Sequence, residues 1–230
     1  MSKLTVFFMF ILSVPSLFAA KVPVKEQHAF VRRMRPKIAM VDKQILKDRN
    51  IILLDRKSLM SIKHLPYSDY EEIFKLGAYY KVADCDPEDW DEQSCIKDLL
   101  KRVDILPPNL ILAQAINESN WGQSRFALQG NNYFGIWCFR KGCGLVPGAR
   151  PKGQTYEVRR FANAEESIAA YYRNINTHDQ YQDLRDQRYK MRELGKPLNA
   201  LTLAEGLEGY STRKKAYVRS IQSLIRRLES

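Results

Sequence analysis

Apolar residues recur at helical intervals along most of the chain. Phe30, Met34, Ile38, Val41 and Ile45 follow one another at steps of three and four, which predicts one buried helical face across residues 26–48. Ser68 followed by Glu71 has the spacing of a capping box and opens an expected helix that runs through Tyr80. The acidic run at residues 84–92, DCDPEDWDE, suits the start of a third helix, where carboxylates meet free N–H groups and the positive end of the dipole. It lacks the glycine and the spacing of an EF-hand calcium loop. That helix is expected to continue through Val103 and to stop before Pro107-Pro108.

Asn109 to Ser119 has few polar residues and reads as a helix buried on most sides. Gly122, Gly130 and Asn131-Asn132 then mark turns. From Trp137 to Arg160 the pattern changes. Glycines and prolines interrupt the chain, and TYEVRRF alternates in the manner of a strand, so a small β lobe is expected here. In that strand Tyr156 and Val158 face one way, and Thr155, Glu157 and Arg159 the other. Asn163 with Glu166 forms another capping box, opening a helix through Ile175, and helices also fit 183–194 and 213–228. The pattern implies a mainly α chain with a small β lobe.

The first twenty residues, MSKLTVFFMFILSVPSLFAA, carry one early lysine, an apolar stretch, Pro15 and a small-residue end. This is the layout of a secretory signal peptide; left uncleaved, the same segment would tether the protein to a membrane. Export bears on the cysteines. An even count in an oxidising compartment favours disulfides, and short loops favour Cys85–Cys95 and Cys138–Cys143 over the other two connectivities. A zinc site is disfavoured, because His28, His64 and His178 are scattered. The net charge of +11 implies an acidic partner. No nucleic-acid motif accompanies it and export opposes that reading, so an anionic wall polymer or membrane surface fits better. A generally solvated basic surface has the same composition.

One carboxylate stands out. Ile111, Ala115 and Glu118 lie at steps of four and three, which brings Glu118 to the apolar side of its helix. A carboxyl group in apolar surroundings loses hydration of its charged form, and its pKa rises. A glycosidase needs such a group to protonate the leaving oxygen. A glutamate at a helix end facing solvent has the same spacing.

The stretch AQAINESNWGQSRFALQGNNYFGIW supplies further information. It resembles the signature of the bacterial N-acetylglucosaminidase-domain family, whose members are lysozyme-like peptidoglycan hydrolases. The match continues through RFANAEESIAAYYRNI and into GYSTRKKAY, covering about residues 98–226. In RVDILP, Cys138-x₄-Cys143 and NINTHDQY the chain is also similar to the Bax-type exported members. With the signal peptide at 1–20, the resemblance implies a lysozyme-like domain at 96–230 and leaves 21–95 as a helical extension packed on it.

It also implies hydrolysis of the β-1,4 bond after N-acetylglucosamine in peptidoglycan strands, in the periplasm or cell envelope, without metal or organic cofactor. Glu118 matches the catalytic acid. Trp121, which we assign to the core, and Asn132, Phe134 and Gly135 match the structural and cleft-lining motif. Tyr210 matches a tyrosine beside the site, although Ser-Thr-Arg-Lys follows it where many members carry Ala-Thr-Asp-Pro. Glu157 falls where some members carry a second acid. As an ordinary strand glutamate it would face solvent. Tyr133, Trp137 and Tyr156 join Asn132 and Phe134 as candidates for holding sugar rings, since flat aromatic faces stack on a pyranose. A lytic transglycosylase acting through a lone glutamate, or a wall-binding protein without turnover, would carry the same residues.

Overall fold

The computed structural model describes residues 22–62, 67–88 and 90–230. The expected signal segment, residues 1–20, lies outside them. Helix α1 (Val24–Ile62) runs well past residue 48, where its expected periodicity ended. Its buried stripe is Phe30, Met34, Ile38, Ile45 and Ile52, with Val41 at the edge of the core. Helix α2 (Tyr67–Tyr80) follows, and a 3₁₀ turn at Ala83–Cys85 leads to α3 (Glu92–Arg102). The acidic run does cap that helix: the Asp91 carboxylate accepts from the Ser94 N–H at 3.1 Å. The Cys85–Cys95 disulfide ties the turn to α3.

Helix α4 (Pro108–Ser119) begins with a proline in its first turn, where a missing N–H carries no penalty. Every residue from Leu110 to Ile116 is buried, because α1, α9 (Lys215–Glu229) and α8 (Ala200–Glu205) enclose it. Helix α5 (Arg125–Gly130) is a short one where only turns were expected. The β lobe is a small antiparallel sheet of β1 (Trp137–Cys138), β2 (Gly144–Leu145) and β3 (Glu157–Arg159), in the order β1-β3-β2. Cys138 pairs with Glu157 and Leu145 with Val158. Gly144 is required there, since a Cβ on it would come within 2.0 Å of the Val158 carbonyl oxygen.

Helix α6 (Ala164–Thr177) starts at its expected cap, with Asn163 accepting from the Glu166 N–H at 2.9 Å. Helix α7 (Gln182–Glu193) then leads through α8 to α9. One hydrophobic core runs from Phe30 in α1 to Ile225 in α9, so the N-terminal helix shares the core of the later helices.

A buried ionic cluster fixes where α1, α3, α6 and α7 meet. The fully buried Arg188 guanidinium donates to the carbonyls of Lys101, Arg102 and Asp104 and to the Asn176 side chain. Arg49 donates to the carbonyls of Leu100 and Val103. Together they satisfy the orphan carbonyls at the C-terminus of α3, the negative end of its dipole. Asp104 supplies the counter-charge, accepting from Arg192 twice at 2.9 Å. Burial alone would push the Asp104 carboxyl up, but Arg192, Arg188 and Arg49 hold it below the usual carboxylate range.

Removing one member of such a buried cluster strands the others, at a cost of roughly 3–5 kcal/mol. Arg188→Leu is therefore expected to lower the unfolding free energy by about that amount. The check is the urea midpoint followed by circular dichroism. A midpoint close to that of the unaltered protein would mean that the cluster does not anchor the helices.

Candidate active site

Glu118 sits in the last turn of α4, and the chain leaves that helix through three successive left-handed residues, Asn120, Trp121 and Gly122. Such a reversal is unusual for two non-glycine residues in a row. It is held from both sides. The Gly122 N–H donates to the Ser119 hydroxyl at 2.8 Å, and the Phe30 ring of α1 presses so close that a Cβ on Gly122 would lie 2.8 Å from it. Trp121, expected in the core, packs against it without being fully enclosed. It lies half-buried at the rim, held between the edge of Phe30 from α1 and the Arg227 guanidinium from α9.

The next turn folds over the Glu118 carboxyl. Asn132 directs it: its amide nitrogen donates to the carbonyls of Ile136 and Arg159, each at 2.8 Å, and its oxygen accepts from the N–H groups of Phe134 and Ile136. The turn passes through Gly135, which is left-handed, and a Cβ there would stand 4.0 Å from the Glu118 Oε2. Tyr210 braces the turn from below by donating to the Phe134 carbonyl at 2.9 Å.

Around the carboxyl itself lie Asn117, which donates to Glu118 Oε1 at 2.9 Å, the Tyr217 hydroxyl, and the Arg213 guanidinium. Burial pushes the Glu118 pKa up to about 7, while hydrogen bonds from Asn117 and Tyr217 and the charge of Arg213 restrain the rise. Behind them is a packed set of tyrosines. Tyr210 stacks on Tyr217 at 5.3 Å, and Tyr171 stacks on Phe134 at 4.3 Å. A carboxyl in this setting is close to half protonated at neutral pH, which equips it to donate a proton.

The other expected site residues divide into two groups. Asn132, Phe134 and Tyr210 surround the Glu118 site, but each is buried and committed to holding the turn. Tyr133 is also buried, its ring against Phe30. In the β lobe Trp137 and Tyr156 stack at 4.2 Å with nearly parallel rings; Tyr156 is buried and Trp137 half-buried.

Glu157 does not face solvent as a simple alternating strand would have it. It is 6% exposed and turns toward the Cys138–Cys143 loop, where its two oxygens accept from the Gly142 and Gly144 N–H groups at 2.9 and 2.8 Å. Those N–H groups hold its carboxyl below the usual carboxylate range. The loop's amides converge on the space beside β3, and a carboxylate on that side is what satisfies them. The strand pattern alone does not reveal this. Gln114, Tyr171 and Tyr217 were also not singled out, because apolar periodicity counts them with the core.

Comparisons with known proteins bear on the same region. The glucosaminidase family model, described as mannosyl-glycoprotein endo-beta-N-acetylglucosaminidase, matches residues 93–230. Protein bax of Escherichia coli (strain K12) is 38% identical over 119 residues, which is 52% of this chain and 42% of that relative. The chain thus spans less than half the length of that relative. No solved structure matches it.

The Glu157 contacts lead to a direct expectation. Glu157→Gln replaces an acceptor with a group that is half donor, so one loop amide loses its partner. Hydrogen exchange at the Gly142 and Gly144 amides should accelerate on the order of tenfold. Unchanged exchange, read residue by residue by NMR, would show that the disulfide alone holds the loop.

Proposed function

Because this chain belongs to the glucosaminidase family, we propose that it is an exported peptidoglycan hydrolase that cleaves the β-1,4 bond after N-acetylglucosamine, with Glu118 as the proton donor. The observation that carries the reading is the Glu118 carboxyl, raised to about 7 by burial and lying under the Gly135 turn within the family-matched region. The family is one of glycosidases, and peptidoglycan is the substrate it implies. Glu118 would protonate the glycosidic oxygen as the bond to the anomeric carbon breaks, and water would complete the hydrolysis. The two disulfides favour an oxidising, extracytoplasmic setting. No helix among the described residues is long and apolar enough to cross a membrane.

The second half of the reaction has two routes. In one, Glu157 activates the water; it has the charge for this, being held ionised. In the other, the substrate's own acetamido group assists, and Tyr210 acts only through the turn that it braces at the Phe134 carbonyl. The engagement of both Glu157 oxygens by loop amides favours the acetamido route. The anomer released first separates them by NMR: inversion supports Glu157, and retention supports the acetamido group.

Glu118→Gln should lower peptidoglycan hydrolysis by roughly 10²–10⁴-fold with an unchanged circular dichroism spectrum. The acid must be protonated to act, so activity of the unaltered enzyme should fall as pH rises through about 7. A folded mutant with near-normal turnover would remove Glu118 from the mechanism. Mass spectrometry of the digest tests the reaction class. Reducing sugar ends support hydrolysis, anhydro-muramyl ends would make the protein a lytic transglycosylase, and intact strands would leave a wall-binding protein.

A further inference from the structure

Three buried side chains form a line of hydrogen bonds that ends beside Glu118. The Tyr171 hydroxyl, from α6, donates to Gln114 Oε1 in α4. Gln114 Nε2 donates to the Tyr217 oxygen, in α9, at 3.0 Å. All three side chains are fully buried or within 1% of it. The order of donors and acceptors follows from the chemistry of the amide. Its oxygen can only accept and its nitrogen only donate, so a Tyr171 proton on the oxygen leaves the nitrogen for Tyr217. Having accepted from the amide, the Tyr217 oxygen keeps its own proton to give, and Glu118, one helical turn beyond Gln114 on α4, is the carboxyl beside it.

We propose that Tyr171 and Gln114 are positioning residues that fix the direction of the Tyr217 hydroxyl, so that its proton is always presented to the Glu118 carboxyl. The inference rests on the reading of Glu118 as the acid. Its value to the reaction lies in a change of strength. A hydrogen bond to a carboxylate is stronger than one to a neutral carboxyl, so the Tyr217 bond strengthens as Glu118 gives up its proton. It therefore favours the step in which the glycosidic oxygen is protonated.

Other groups facing Glu118 do not supply this. Asn117 donates from the same helix, and Arg213 acts by its charge from the segment before α9. Tyr210 has its proton on the Phe134 carbonyl. Tyr171, Tyr181, Tyr210 and Tyr217 are all raised above their ordinary range by burial, so each is neutral while Glu118 titrates. Removing a tyrosine hydroxyl thus removes a dipole and a hydrogen bond, with no change of charge.

The test uses Tyr217→Phe, Tyr171→Phe and the double variant in the full chain. Each keeps the ring and its stacking. Activity on isolated peptidoglycan is followed against pH, and the Glu118 carboxyl is titrated by ¹³C NMR, its signal assigned by loss in Glu118→Gln. Tyr217→Phe should lower the plateau rate roughly tenfold. It should also move both the alkaline limb and the carboxyl titration to higher pH, because a donor to the charged form is lost. Tyr171→Phe should move both in the same direction by less. With the Tyr171 donor gone, the Gln114 amide can rotate and its oxygen can draw the Tyr217 proton away from Glu118. In the double variant the shift should equal that of Tyr217→Phe alone.

A Tyr171→Phe protein whose limb and titration both stay at the unaltered positions overturns the proposal, as does a double variant whose shifts simply add. A carboxyl titration that moves as expected while the activity profile does not would uphold the hydroxyl line and overturn the role of Glu118 as acid.

Discussion

A single buried carboxylate, Asp104, determines where the helices of this protein can meet. Three guanidiniums converge on the few residues around it; Arg192 grips its carboxylate, and Arg188 and Arg49 donate to the C-terminal carbonyls of α3. Without the counter-charge those arginines could not be buried, and without the arginines the helix end could not be. The consequence for the site is positional. Helix α4 begins only a few residues beyond Asp104, at a proline pair that sets its direction, and Glu118 lies at its far end. Asn176, at the end of α6, both receives from Arg188 and donates to the Asp104 carbonyl, so the helix carrying Tyr171 is referenced to the same point. Two of the elements that meet at Glu118 are therefore aligned by a cluster remote from it.

Burial alone does not mark a carboxyl as chemically active. Asp42 in α1 is buried, accepts from the Tyr172 hydroxyl, and is raised to about 6 by burial, much as Glu118 is raised. The two differ in their surroundings. Asp42 is closed in between α1 and α6, whereas Glu118 ends a helix at a chain reversal and faces a glycine turn. It also belongs to the region that the glucosaminidase family model matches. Proton donation requires access as well as a raised pKa.

Much of the fold was legible in the sequence because local rules agreed with the packing. The stripe through Phe30, Met34 and Ile38, the caps at Asp91 and Asn163, the buried run of α4 and the two short-range disulfides all follow from spacing. Where reading failed, a long-range contact overrode a local expectation. Arg188 and Arg49 are charged and would be assigned to the surface, yet the end of α3 draws them inward. Glu157 belongs to the outward positions of an alternating strand, yet the amides of a disulfide loop turn it in. Glu118 stood out through its motif, but the groups that tune it come from α4, α6, α9 and the segment before α9, and no periodicity joins those. The helices α5 and α8 are too short for a period to show, and beyond residue 48 of α1 Ile52 continues the stripe while its apolar neighbours Leu53 and Leu54 are exposed.

The pressure of Phe30 on Gly122 crosses the edge of the family-matched region. The family-matched region begins at residue 93, yet the reversal that follows Glu118 leans on a side chain from a helix well outside it. The stretch that the family model matches and the stretch that holds the reversal in shape are then different lengths of chain. On α1 the core holds a narrow stripe, Phe30, Met34 and Ile38, while the neighbouring Arg32 and Met40 are exposed. A helix held by so narrow a stripe keeps its place beneath the candidate site through a small part of its sequence.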